Sequence, residues 1–237
     1  MNETEDVSQG QKLLTSIERI LADPGTLTAY AEACLKRAAA GDADEATTRS
    51  RAVREVVTHY SNYTAISGGA AALPALLPGL GTAVAVGGGA LADMGLVLKF
   101  EIEMAIVLTR IYGYDIRLDA ERQRAFLLAS ISTYDAKSDG NFLVDVMKVE
   151  SMAIWNYTPR QASKLLLTVL TRLVIRSASK SLFRAIPLVG IAIGSSVNKA
   201  LTTRVGERCA RELARRRESM AVTSASDDDV VDAHVRG

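Results

Sequence analysis

Residues 64–111 read TAISGGAAALPALLPGLGTAVAVGGGALADMGLVLKFEIEMAIVLTRI, and from Thr64 to Ala92 they carry no charge. A second stretch, RAIPLVGIAIGSSVNKALTTRVG over residues 184–206, repeats the grammar of the first. Pro78 and Pro187 are each followed three residues later by a glycine, Gly81 and Gly190. Small residues then recur at steps of four: Gly81, Ala85 and Gly89 in the first stretch, Gly190 and Gly194 in the second. Steps of four share one face of a helix, so each stretch offers a groove where another backbone can approach closely. The expectation is a pair of helices packed through these grooves. A parallel and an antiparallel pairing are both open.

An interior glycine costs a helix about 1 kcal/mol relative to alanine, so the cluster Gly87, Gly88, Gly89 requires a compensating contact. A hairpin buried in a soluble core, a membrane-inserted or re-entrant hairpin, and the wall of a ligand pocket each supply one. Pro74 and Pro78 divide the uncharged run into pieces shorter than the ~20 residues of a spanning helix, which argues against a simple transmembrane segment. Asp93 extends the Gly81–Ala85–Gly89 row and Asn198 extends the Gly190–Gly194 row. A polar group at the end of a close-packed groove needs a partner, so a structural hydrogen bond is the expected role of each, with ligand contact as the alternative.

These residues also carry a resemblance. Pro78, Gly79, Gly81, Asp93, Tyr112, Gly113 and Tyr114, followed by Pro187, Gly190, Asn198 and Gly206, resemble the EcsC protein family in order and separation over roughly residues 60 to 218. The resemblance implies a helical bacterial protein, in some members encoded beside ABC-transporter genes. It supplies no catalytic residues to carry over.

The remainder of the chain reads as helix. Alternation with period two is hard to find, aromatics are 5% of residues, and small and branched aliphatic side chains suit helix-on-helix packing. The fold class expected is all-α, a single bundle over residues 11–218, between an acidic disordered start (residues 1–10) and a flexible acidic tail (residues 219–237). Helices are expected over Gln11–Ala22, from a Thr26 or Thr28 cap to about Ala40, Asp44–Ser67, Thr82–Tyr112, from Asp119 onward, Phe142–Tyr157 and Pro159–Phe183, followed by a last helix. Gly113 is suited to a left-handed cap, and Thr158-Pro159 to a cap followed by proline at the first position. On the long central helix Lys99, Glu103 and Arg110 share a face and read as a solvated or salt-bridged stripe.

Charge is distributed unevenly. Residues 1–159 carry a net −6, residues 160–217 a net +11, and residues 218–237 a net −4. Arg160, Lys164, Arg172, Arg176, Lys180 and Arg184 fall at steps of four or eight, while Leu166, Val169, Leu170, Leu173 and Val174 form an apolar face. A basic amphipathic helix beside an uncharged hairpin points to an anionic membrane surface as partner, with a protein partner in a membrane complex as the alternative. Nucleic acid fits less well, because Phe183 alone among aromatics lies between Arg160 and Arg217 and base stacking asks for more.

No catalytic constellation is present. The chain lacks a GxxxxGK[ST] phosphate loop, HExxH and GxSxG, so neither catalysis nor a cofactor is expected. Cys34 and Cys209 stand far apart without CxxC spacing, which gives neither a disulfide framework nor a zinc site. His59, Tyr60 and Tyr63 form the only His/Tyr cluster and are expected at a membrane or core boundary, ring inward and polar tip toward water. The acidic, polar opening MNETEDVSQGQ is unlike a signal peptide. The expected location is cytoplasmic, peripheral to the inner face of a membrane or shallowly inserted in it, and the expected role is that of a non-catalytic accessory or scaffold. The alternative is a soluble helical protein that binds an apolar small ligand or a protein through the glycine-lined hairpin.

Overall fold

The structure, a computed structural model, describes residues 3–41, 43–67, 80–137, 151–180 and 187–235, with backbone alone at 3–6, 67, 80–93, 151–153, 176–180, 187–195 and 223–235. The described residues form seven α-helices and no strand: α1 (Glu3–Ile20), α2 (Pro24–Ala38), α3 (Glu45–Ser67), α4 (Leu80–Ile111), α5 (Asp119–Lys137), α6 (Pro159–Lys180) and α7 (Pro187–Val235), with a 3₁₀ turn at Ser151–Asn156. An all-α bundle is what the residue pattern predicted.

Local chemistry sets most of the boundaries. Asp23, rather than Thr26 or Thr28, caps α2, its carboxylate accepting the Thr26 N–H at 2.9 Å ahead of Pro24 in the first turn. Thr28 instead donates back to the Pro24 carbonyl at 2.7 Å. Gly113, at φ +95°, ends α4 in a Schellman motif: its N–H reaches the Arg110 carbonyl at 2.9 Å and the Tyr114 N–H reaches that of Thr109 at 3.2 Å. Thr158 and Gln161 form a reciprocal capping box before α6, with the Thr158 N–H to Gln161 Oε1 at 3.0 Å and the Gln161 N–H to Thr158 Oγ1 at 3.4 Å.

Two boundaries depart from the pattern-based expectation. α1 begins at Glu3, ahead of the Gln11 start expected, and Gly10 brings it close to α6. A Cβ built there lies 3.1 Å from Thr171 Cα, so α1 and α6 meet nearly backbone to backbone. α7 continues as helix to Val235, and neither proline nor glycine interrupts residues 207–235. Where a helix was expected over Phe142–Tyr157, Ser151–Asn156 is a 3₁₀ turn, and residues 142–150 lie outside the described residues.

Helix α4 is the axis of the bundle. It packs against α1, α2, α3, α5 and α7, and every residue from Met94 to Thr109 is buried. An α-helix buried all round suits a core element, but this one carries Lys99, Glu101, Glu103 and Thr109 inside it. The solvated alternative for the Lys99–Glu103–Arg110 stripe is therefore corrected. Lys99 and Glu103 are an ion pair at 2.9 Å enclosed by α1–α3, and Arg110, nearer the surface, pairs with Glu32.

α4 and α7 run in the same direction, since their contacts climb both helices together: Glu101 with Thr202, Met104 with Gly206, Tyr114 with Arg216 and Met220. Gly206 continues the Gly190–Gly194–Asn198 row and is the tight point. A Cβ there would sit 2.7 Å from Val57 Cγ2 and 2.9 Å from Met104 Sδ, where α3, α4 and α7 converge. Gly81, Gly89 and Asp93 lie on α4 and Pro187, Gly190 and Gly194 on α7. Their side-chain contacts, and Pro78 altogether, lie outside the described residues.

Glu101 joins three helices. It is fully enclosed, with Thr133 of α5 at 2.6 Å from Oε2 and Thr202 of α7 donating to Oε1 at 3.0 Å. Thr133 Oγ1 also lies 2.9 Å from the Ala129 carbonyl. One hydroxyl proton shared between two acceptors makes two weakened bonds, and a protonated Glu101 would relieve the competition by donating its own O–H to Thr133. Burial drives its carboxyl in the same direction, above the ordinary 4.5.

Two outcomes follow from this packing. Gly206→Ala should destabilise the fold by about 1–3 kcal/mol through overpacking. At Gly95, where an added Cβ meets only Leu13 Cδ1 at 3.5 Å, the same change should be neutral or stabilising by up to about 1 kcal/mol. Paired thermal melts check the contrast, and equal shifts at both sites would contradict it. Because the folded-state value of Glu101 is raised, its contribution to stability is complete below the ordinary 4.5 and is lost as pH rises through the folded value. Glu101→Gln keeps an acceptor and a donor but cannot ionise, so its stability relative to the parent should increase as pH rises from the ordinary 4.5 to the folded value, and level off above it. Parallel denaturation curves at every pH would contradict the assignment.

Candidate functional site: an aromatic cleft and two basic helices

A cleft of about 510 Å³ opens where the α1–α2 junction, α3 and α4 meet. Its walls follow from helix spacing: His59, Tyr60 and Tyr63 lie within one turn of α3, Leu27 and Tyr30 face them from α2, and Lys99, Phe100 and Glu103 rise from α4. The rings are mutually ordered. Tyr63 stacks on Phe100 at 5.4 Å and 15°, His59 meets Tyr63 edge-on at 4.6 Å, and Tyr30 lies 5.0 Å from His59 and 6.2 Å from Tyr60.

At the base, Lys99 Nζ donates to Glu103 Oε2 at 2.9 Å and lies 4.7 Å from the Phe100 ring centre. Glu103 Oε1 accepts the Ala22 N–H at 2.7 Å, which ties the end of α1 to the central helix. Burial pushes the His59 imidazole below its ordinary value and the Tyr30 and Tyr60 phenols well above theirs. The imidazole is thus uncharged near neutral pH. Behind Tyr30, burial also raises the Cys34 thiol, beside an Arg37–Glu55 pair at 2.5 Å, and a protonated thiol is a poor nucleophile. Among the described residues, no three His, Cys, Asp or Glu side chains are grouped to hold a metal ion.

The His59–Tyr60–Tyr63 cluster stands at a core boundary, with Tyr60 buried and Tyr63 44% exposed. Its partners could not be read from local spacing. Tyr30 is 29 residues away from His59 and Phe100 is 37 residues away from Tyr63.

The basic residues divide into two groups. On α6, Arg160 and Lys164 are exposed and Arg172 is half-buried; Arg176 and Lys180 are described only in backbone, and Arg184 lies outside the described residues. The predicted apolar face of this helix is in the core, with Leu166, Val169, Leu170, Leu173 and Val174 all buried. On α7 much of the positive charge is neutralised within the fold. Arg208 pairs with Asp135, Arg215 with Glu212 at 3.0 Å, and Arg217 with Glu45 at 2.6 Å. Arg216 pairs with Glu121 through two bonds of 2.6 and 2.8 Å, between the rings of Tyr114 at 3.8 Å and Trp155 at 4.5 Å. The +11 of residues 160–217, which pointed from sequence to an anionic partner, is therefore also a fold determinant.

Two groups escaped the residue pattern. Glu101 and Thr202 form a buried polar contact between α4 and α7, further along the rows that Asp93 and Asn198 extend. Both continue the same rows, Glu101 eight residues beyond Asp93 and Thr202 four beyond Asn198, so extending each row was the available signal. Asn198 itself is partly exposed, and the Asp93 side chain lies outside the described residues.

No curated protein and no solved structure matches the chain. A sequence model described as the EcsC protein family matches residues 43–217, from just before α3 to the Arg216–Arg217 segment of α7. It takes in the Gly113 cap, the Tyr114 ring that carries Arg216, and Gly206, and it leaves α1 and α2 outside. The chain belongs to the EcsC protein family.

Proposed function

We propose that this protein is a non-catalytic helical scaffold that associates with a membrane surface, peripheral or shallowly inserted at the inner face, as an accessory to a membrane transport system. The observation that carries the reading is the uncharged run Thr64–Ala92, which the chain enters at the end of α3, where Tyr63 just before it and Ile66 within it are exposed, and leaves into the buried half of α4. Exposed Arg160 and Lys164 at the start of α6, with Lys199, Arg204 and Arg211 on α7, add basic charge that the described ion pairs do not consume. Among the described residues no helix is long and apolar enough to cross a membrane, which is compatible with surface association. The transport role rests on the family resemblance. A second reading, small-ligand binding by a soluble protein, is favoured by the aromatic cleft rather than by the glycine-lined hairpin.

Liposome flotation distinguishes the two readings. Binding to anionic vesicles at low salt should exceed binding to neutral ones. Joint replacement of Arg160 and Lys164 by glutamine should weaken it roughly ten- to thirtyfold, at about 1 kcal/mol per basic residue near the surface. Absence of binding to anionic vesicles at low salt, or tighter binding to duplex or single-stranded DNA, would overturn the membrane reading.

A further inference from the structure

The cleft has the size and balance of a small-molecule site. Its 510 Å³ falls within the roughly 300–1,000 Å³ usual for such pockets. Three polar side chains converge on it with hydrogen-bonding capacity to spare. Lys99 is 9% exposed and, among the described residues, engages only Glu103 and the Phe100 ring, which leaves ammonium hydrogens unused there. Among the described residues the Tyr60 hydroxyl, on a side chain 5% exposed, and the His59 imidazole meet no hydrogen-bonding partner. Each of the three offers a donor. The carboxylate of Glu103 accepts one bond at each oxygen, from Lys99 and from the Ala22 N–H, and supplies no donor.

Charge decides the class of ligand. Lys99 and Glu103 neutralise each other, Arg37 and Glu55 do the same behind His59, and burial holds His59 uncharged. An anion or a cation entering this cleft would lose hydration without gaining an unpaired counter-charge. The rings contribute flat apolar surface, with Tyr63 stacked on Phe100 and Leu27 and Ile66 beside them. We infer that the cleft binds a neutral, flat aromatic molecule bearing a carbonyl oxygen, with the ring system against Tyr63 and Phe100 and the oxygen accepting from Tyr60 and Lys99. This inference rests on the ligand-binding reading and is independent of membrane association.

Three probes with one ring system and different head groups test it on the full chain by isothermal titration calorimetry: acetylnaphthalene, naphthoate and naphthyl-trimethylammonium. The neutral ketone should bind most tightly. Tyr60→Phe, which removes one hydroxyl donor, should weaken the ketone about two- to tenfold, and Tyr63→Ala, at an exposed position that leaves the core intact, by at least about threefold. Circular dichroism melts establish that both variants remain folded. Tighter binding of naphthoate or of the ammonium probe, no saturable binding of the ketone, or ketone binding unchanged in both variants would each overturn the inference. Vesicle flotation is read on separate samples, so a failure here and a failure of membrane association are distinguishable.

Discussion

Burial of Met94–Thr109 on all sides imposes a demand that the surrounding helices must meet. A helix in the centre of a bundle gains from burying leucine, isoleucine and methionine side chains, but Lys99, Glu101, Glu103 and Thr109 are in the same turns, and each would cost stability if left without a partner. Lys99 pairs with Glu103, and Glu103 also holds the Ala22 N–H. Glu101 sits between Thr133 and Thr202. Thr109 donates to the Ala105 carbonyl at 2.8 Å within its own helix. The α1–α2 junction, α5 and α7 are therefore positioned by polar contacts as well as by packing. One of these contacts, the Lys99–Glu103 pair, also forms the base of the aromatic cleft.

The far end of the bundle is secured by a different device. Arg216 lies between Tyr114 and Trp155 and is held bidentately by Glu121, which joins the α4–α5 connection, the 3₁₀ turn and α7. A lysine could not reproduce it, because the planar guanidinium both stacks and forks. Gly113 permits the arrangement by reversing the chain just before Tyr114. The electrostatic consequence is that α7 presents less free positive charge than its composition suggests. Any attraction to an anionic surface falls to residues such as Arg160, Lys164, Lys199, Arg204 and Arg211, which are exposed.

Those parts of the fold whose causes are local could be read from the residues. The Thr158-Pro159 start, the Gly113 stop and the buried leucine–valine face of α6 depend on neighbours within a turn or two. The environment of a charge does not. Lys99 and Glu103, four residues apart, have the same spacing in a solvated stripe and in a buried pair, and only the arrival of α1–α3 over them decides between the two. Gly10 likewise looks like part of a polar tail until Thr171 of α6 is placed against it. The candidate cleft was half visible, as three side chains of α3 with no chemistry of their own. Its remaining walls come from α2 and α4, and no periodicity within α3 announces them.

The most direct test of α4 as the organising element is native-state hydrogen exchange resolved along the sequence. Amides of residues 94–109 should exchange only by global unfolding and show the highest protection in the protein, with the matching buried turns of α5 close behind and α1 opening earlier. Exchange of 94–109 by local opening, at free energies below those of α3 or α5, would contradict the account.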